Sequence, residues 1–364
     1  MALSDYRILK QRKTSKKLKT LAAGVHPVSI EWNQDQKQSI VKFSDGGRAL
    51  GSCIHCINPP CLEYTEDELE LEIFKEFPSD KTTEVCPTKA ISWPQEGDSP
   101  IIDSDACIFC GICVSRCPVA AIYLDPDETT AILNDLPNKY FLLQNQEVSE
   151  TTQKFLLEMF SQIPESGIFI SEDDDILQRF FDKFKSVATE QKHSSQFPNH
   201  LVRNLMLEVG IKALMRRRGD TYLRMDIVFE QSGKKSGTCE VKLRSEFLDA
   251  PRNLLDNVAV LVSRYEISKN NMIPLVVTLS LPSQRSEYWR VIKDIKQVLD
   301  LRINSLTIGM LVLLVWNRSK ISLDSQEILY VDSDMSTLRD KFERILGREL
   351  NITEGYPGFM ESQK

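Results

Sequence analysis

Eight of the nine cysteines fall between Cys53 and Cys117, and their spacing is the feature best suited to chemistry. The first group reads Cys53-Ile-His-Cys56-Ile-Asn-Pro-Pro-Cys61 and continues, after an interval, to Cys86-Pro87. The second reads Cys107-Ile-Phe-Cys110-Gly-Ile-Cys113-Val-Ser-Arg-Cys117-Pro118. Three thiolates at two-residue spacing on a tight loop can converge on one iron–sulfur cubane, and a fourth, followed by proline, is directed to a neighbouring cubane. The tails Cys86-Pro-Thr-Lys-Ala-Ile91 and Cys117-Pro-Val-Ala-Ala-Ile122 repeat, which supports an internal pseudo-two-fold. Two structural zinc sites are the rival, but zinc quartets favour paired Cys-x-x-Cys hooks over a four-cysteine run ending in Cys-Pro. Disulfides are the weak reading, because the chain is long and shows no export signal. His55 reads as a residue beside the iron site or an exposed one and not as an iron ligand, and Cys239 stands apart.

A second constellation sits on a predicted β-hairpin. Asp226 interrupts an apolar strand at Tyr222–Phe229, and a turn at Ser232–Gly237 leads into a strand at Thr238–Arg244. Glu240 and Lys242 lie two residues apart and share one face of that strand, while Cys239, Val241 and Leu243 take the other. If the strands pair, Asp226 meets Glu240. Two carboxylates there make a hard oxygen site suited to magnesium or manganese, with Lys242 beside it to stabilise charge or orient water. The alternative is three ordinary charges on a wet face of the hairpin. Lys234, Lys235 and the run Arg216–Arg218 add positive charge on both sides, as a phosphodiester groove requires.

The elements that must position these groups form two halves. Residues 1–44 carry nine Lys/Arg against three Asp/Glu, residues 45–140 six against eighteen, and residues 200–350 twenty-four against nineteen. The segments net about +6, −12 and +5, although the whole chain is −7. The division reads as a basic N-terminal arm (1–44), an acidic cysteine-bearing domain (45–140), a helical connector (141–195), an α/β domain (196–350) and a tail (351–364). In the connector, helices are expected near Glu150–Gln162 and Asp175–Gln191, with a boundary at His193–Pro198. Beyond it the pattern predicts a helix over His200–Met215, the hairpin, a helix over Arg252–Tyr265, a strand at Ile273–Ser280, a helix over Glu287–Leu299, a strand at Leu306–Trp316 and a helix over Ser336–Leu346. That order makes a mixed sheet with helical crossovers. No stretch approaches the ~18–20 apolar residues of a membrane span, so a cytoplasmic protein without membrane attachment is expected.

The cysteine region resembles a bacterial-type ferredoxin with two 4Fe–4S clusters, and its first loop resembles the iron–sulfur subunits of respiratory oxidoreductases. The resemblance implies an α+β ferredoxin-like fold, with Cys53, Cys56, Cys61 and Cys117 holding one cluster and Cys107, Cys110, Cys113 and Cys86 the other. It also implies a redox partner protein. The chain departs by inserting twenty-four residues between Cys61 and Cys86, where those subunits usually have three. This acidic insertion, through Thr65-Glu-Asp-Glu-Leu-Glu-Leu-Glu-Ile-Phe-Lys-Glu-Phe77, reads as a solvated surface helix, or as a cover for a cluster or a docking element.

The later half, over about Asn199–Ser280, resembles the PD-(D/E)XK or restriction-endonuclease-like superfamily, with Met225 where the family name has proline. The resemblance implies a divalent metal held by Asp226, Glu240 and the carbonyl of Val241, an accessory carboxylate at Glu208, and Lys242 as the charge-stabilising lysine. It implies DNA as substrate, and double-strand cleavage by such domains commonly uses a homodimer. The combined expectation is an iron–sulfur-containing, metal-dependent DNA nuclease, in defence against foreign DNA or in repair. The alternatives are an electron carrier whose C-terminal domain recruits its partner, and a redox-gated DNA-binding protein that no longer cuts.

Overall fold

Glycine, proline and short polar side chains punctuate the apolar runs of the later half, and they set where its elements begin and end. The computed structural model describes residues 28–33, 38–43, 58–94, 100–117, 121–133, 174–189, 196–220, 223–243, 246–326, 328–331, 335–350 and 352. The chain divides into two compact units: Met1–Glu63 with Glu84–Ser171, and Tyr64–Thr83 with Glu172–Lys364. The insertion expected within the cysteine domain therefore belongs to the other unit.

The first unit contains a hairpin of β1 (Val28–Asn33) and β2 (Gln38–Phe43), inside the region expected to be a basic arm; Arg7–Lys19 lies outside the described residues. The insertion contributes α1 (Glu66–Leu69) to the second unit. The first unit then resumes with β3 (Ile91–Ser92) paired to β4 (Ile101–Ile102), the short α2 (Ile112–Arg116), and β5 (Ile122–Asp125) paired to β6 (Thr130–Leu133).

The rest of the second unit runs α3 (Asp174–Thr189), α4 (Phe197–Glu208), β7 (Lys212–Met215), β8 (Ile227–Glu230), β9 (Ser236–Lys242), α5 (Ala250–Arg264), β10 (Met272–Thr278), α6 (Glu287–Leu299), β11 (Asn304–Thr307), α7 (Ile308–Trp316) and α8 (Met335–Leu346). Its five-stranded sheet has the order β11-β10-β9-β8-β7. Strands β7, β8 and β9 form an antiparallel meander, and β10 and β11 then run parallel to β9. Helices α4 and α5 pack on β7 and β9, α4 also packs on α7, and Phe180 of α3 meets Trp316 edge-on at 6.1 Å. Every residue of β10 is buried, and of β9 all but Lys242.

Two expectations fail for identifiable reasons. The helix predicted through Met215 stops at Glu208, because Gly210 adopts φ 85° and closes the end: its amide reaches Leu207 O (3.1 Å) and the Ile211 amide reaches Met206 O (2.9 Å). The chain then turns into β7. The strand predicted at Leu306–Trp316 keeps only its first two residues in β11. Thr307 Oγ1 accepts from the Met310 amide (3.1 Å) and caps α7, whose nine residues are all buried. A helix buried on every side carries no amphipathic period, so an apolar run of this length reads equally as a strand.

Gly237 permits a close approach of β9 to β10. A Cβ there would stand 2.0 Å from Ile273 O and 2.7 Å from Phe229 Cζ. Because the nearest atom is backbone, Gly237→Ala must displace β10 and should cost about 3 kcal/mol or more in a denaturant titration. A loss below about 1 kcal/mol would show that β9 and β10 are not in this register.

Candidate functional site

In the first unit the loop from Cys107 passes through two left-handed residues, Phe109 (φ 61°) and Gly111 (φ 80°), before α2 begins. Gly111 takes this conformation without a Cβ penalty and lets the chain wind tightly. Cys61, Cys107 and Cys110 are buried, while Cys86, Cys113 and Cys117 are half-buried. Backbone amides point at the sulfurs: Ala90 donates to Cys86 Sγ (3.3 Å), Ala121 to Cys117 Sγ (3.2 Å) and Ala131 to Cys107 Sγ (3.4 Å). The first two bonds each join a Cys-Pro cysteine to the fourth residue beyond it, and each half then enters a strand, β3 or β5. The sequence repeat is thus a structural one.

Burial pushes the Cys110 and Cys113 thiols well up, and neighbouring sulfurs push them further. Cys86 and Cys107 act on Cys110; Cys107, Cys110, Cys86 and Cys61 act on Cys113. Sulfurs so arranged ionise together only around a cationic core, and amide-to-sulfur bonds are what such a core's ligands use, so this donor set fits an iron–sulfur cluster. Of the four cysteines expected to share a cluster, Cys86 and Cys107 lie close enough to act on both Cys110 and Cys113, and Cys61, expected at the other cluster, also acts on Cys113. Cys53 and Cys56 lie outside the described residues.

In the second unit, Ile227 pairs with Cys239, and one further step of that register sets Asp226 opposite Glu240. The Val241 amide donates to Asp226 Oδ2 (3.1 Å), and Lys242 Nζ lies 3.2 Å from Glu240 Oε2. The wet-face alternative does not hold: Glu240 is 3% exposed, and the Asp226 and Lys242 side chains are 16% and 23% exposed. Burial, followed by the Asp226 charge, raises the Glu240 carboxyl; Lys242 and a bond from Asn257 oppose the shift. Asn257 Nδ2 donates to Glu240 Oε1 (2.8 Å), and Asn253, one turn earlier on α5, lies 3.5 Å from Oε2. Sequence reading missed both asparagines, although their i,i+4 spacing just after the Glu-x-Lys strand was the available signal.

Other expected members are elsewhere. Glu208 accepts from Tyr64 Oη (3.2 Å), and among the described residues no three His, Cys, Asp or Glu side chains converge as a single-ion site requires. Lys234 and Lys235 do not flank the carboxylates. They sit in the turn between β8 and β9, about five residues or ~16 Å of extended strand from Glu240, where Lys234 pairs with Asp324 and Lys235 Nζ donates to Asn270 O (2.7 Å). Arg216 does stay at the site: its amide donates to Asp226 O (3.0 Å) and Nη2 lies 4.0 Å from Asp226 Oδ1.

The insertion is not a solvated helix. Only Glu66–Leu69 is helical, capped by Thr65 and Glu68; beyond it Leu71, Phe74 and Phe77 are buried against Leu214, Leu223, Met225, Val228, Leu261, Ile267 and Met272. Glu230 accepts from the Glu72 and Ile73 amides (2.6 and 2.9 Å), and Lys212, its cross-strand partner, donates to Asp67 O and Glu70 O (2.8 and 3.2 Å). Leu71, Phe74 and Phe77 have a helix-like spacing of three, but the segment that carries them packs as irregular chain.

Residues 100–123 match the 4Fe-4S binding domain family. The chain is 32% identical over 104 residues to the B subunit of polysulfide reductase from Wolinella succinogenes, covering 28% of this chain and 43% of that protein. It is 32% identical over 72 residues to an uncharacterized ferredoxin of Methanocaldococcus jannaschii, covering 20% of this chain and 32% of that one. The chain thus spans less than half the length of these curated relatives. No solved structure matches it. The chain carries a ferredoxin-like, 4Fe–4S-binding electron-transfer module, joined to a mixed α/β unit. No helix among the described residues is long and apolar enough to cross a membrane.

Proposed function

We propose that this is an iron–sulfur protein that hydrolyses phosphodiesters, with DNA as substrate, at the Asp226–Glu240–Lys242 cluster of its second unit. The observation that carries the reading is that Asp226, one residue before β8, stands opposite the buried Glu240 of β9, with Lys242 3.2 Å from Glu240. The order helix, three-stranded meander, helix, parallel strand around it supports the resemblance to restriction-endonuclease-like proteins. Magnesium or manganese, which needs only one or two carboxylates beside water and substrate phosphate, would supply a Lewis acid for phosphodiester hydrolysis. Asp226 and Glu240, with the Val241 carbonyl, would hold it. Asn257 fixes one oxygen of Glu240 and leaves the other toward Lys242, whose ammonium offsets negative charge gathering on the phosphate.

In the first unit, the proposed ligand sets are Cys107, Cys110, Cys113 and Cys86 for one 4Fe–4S cluster and Cys53, Cys56, Cys61 and Cys117 for a second. These clusters would supply one-electron transfer, and the cysteine loops fix their position and exclude water from them.

The test is a DNA-cleavage assay with manganese on anaerobically purified protein. Lys242→Ala should lower the rate by about 10²–10³-fold with iron content unchanged. Undiminished cutting by that variant would overturn the assignment. A second reading, favoured by the likeness to a polysulfide reductase subunit, has the first unit pass electrons to a partner protein that the second unit recruits. It requires activity without divalent metal and indifference to Asp226→Ala.

A further inference from the structure

The two cysteines that flank the insertion are also the ends of a paired neck. Glu63 and Glu84 face each other in an antiparallel bridge, the Val85 amide donates to Leu62 O (2.8 Å) and the Tyr64 amide to Thr83 O (2.8 Å). Like charges set directly opposite weaken such a pair, while Lys89 stands 2.8 Å from Glu84 and Arg116 donates to Pro60 O (2.6 Å) and Glu63 O (3.4 Å) on the outgoing strand.

Past the neck, the returning arm of the insertion is wired to the carboxylate site. Arg203, itself buried, donates through Nη1 and Nη2 to Thr82 O (3.2 Å each). Ser79 bridges Arg216 as an extension of β7, flanked by the Asp80 amide on Met215 O (2.9 Å) and the Arg217 amide on Pro78 O (2.8 Å). Arg216, held in this way, donates to Leu223 O (3.2 Å) through Nη1 and aims Nη2 at Asp226. Met225, next to Asp226, shares its core with Leu71, Phe74 and Phe77.

We infer that the Cys61–Cys86 segment makes the order of the carboxylate site depend on iron–sulfur cluster assembly. With both cysteines engaged, the ends of a 24-residue loop are fixed and its returning arm stays on β7. Without the clusters the neck opens, the Pro78–Thr83 arm detaches more often, and Arg216 and Asp226 lose their fixed geometry. The inference rests on the hydrolase reading only for its consequence in turnover.

Hydrogen exchange tests it on the full chain, comparing anaerobic, cluster-loaded protein with the same protein stripped by a chelator, without DNA or divalent metal. The Asp80 and Arg217 amides should exchange about tenfold or more faster in the stripped protein, while Val312 and Leu313 in α7 keep their protection. Cys86→Ser should reproduce the effect at both amides. Unchanged protection at Asp80 and Arg217, in the stripped chain or in the variant, overturns the inference, as does an equal loss throughout α7. Because no cleavage enters the measurement, continued cutting by Lys242→Ala would remove the hydrolase reading and leave this result standing.

Discussion

A chain carrying Cys110→Ala is expected to emerge from anaerobic purification with roughly half the iron and acid-labile sulfide of the wild type. Cys110 is buried near Cys86 and Cys107, and its neighbour Gly111 is left-handed in the loop that carries it. Its loss leaves three sulfurs for a four-ligand cluster, whereas Cys53, Cys56, Cys61 and Cys117 are untouched. Iron and sulfide analysis against protein concentration reads the outcome. Undiminished iron would exclude Cys110 as a ligand, and a fall to near zero would show that the two proposed clusters assemble only together.

The second large effect concerns the insertion. Phe74 is fully buried, with its ring 5.2 Å from that of Tyr265 and its neighbours drawn from β7, β8, α5 and β10. Phe74→Ala should cost about 3–5 kcal/mol, which is much of the ~5–15 kcal/mol that holds a domain folded. Urea unfolding followed through the buried Trp289 and Trp316, both in this unit, measures it. A cost under about 1 kcal/mol would show that the insertion merely lies on the surface of the unit.

The parts of the molecule legible in the sequence were those with strong local rules. Cysteine spacing and the Cys-Pro repeat marked the thiol cradle, and Glu287–Leu299 showed its helix through Ser286 at the cap and a regular apolar stripe. The Asp226–Glu240 encounter was legible because strand pairing follows a period of two. What stayed hidden depends on distant partners. Nothing local tells that Glu240 is covered, since burial of β9 is set by helices joined through later crossovers. Gly210 carried a stop signal that the apolar run around it masked, and α7 lacked any polar face to betray its period. The insertion misled most, because the seven acids among Tyr64–Thr83 dominate its charge, while Leu71, Phe74 and Phe77 decide where the segment goes.

The second unit takes one piece of its interior from a stretch translated roughly a hundred residues before the rest of it. A polypeptide starting at Glu172 would lack Leu71, Phe74 and Phe77, and one ending before it would carry those side chains with nothing to receive them. A scission near Glu172 separates that segment from the interior it fills. A nascent chain must hold its aromatic segment in waiting until β10 leaves the ribosome.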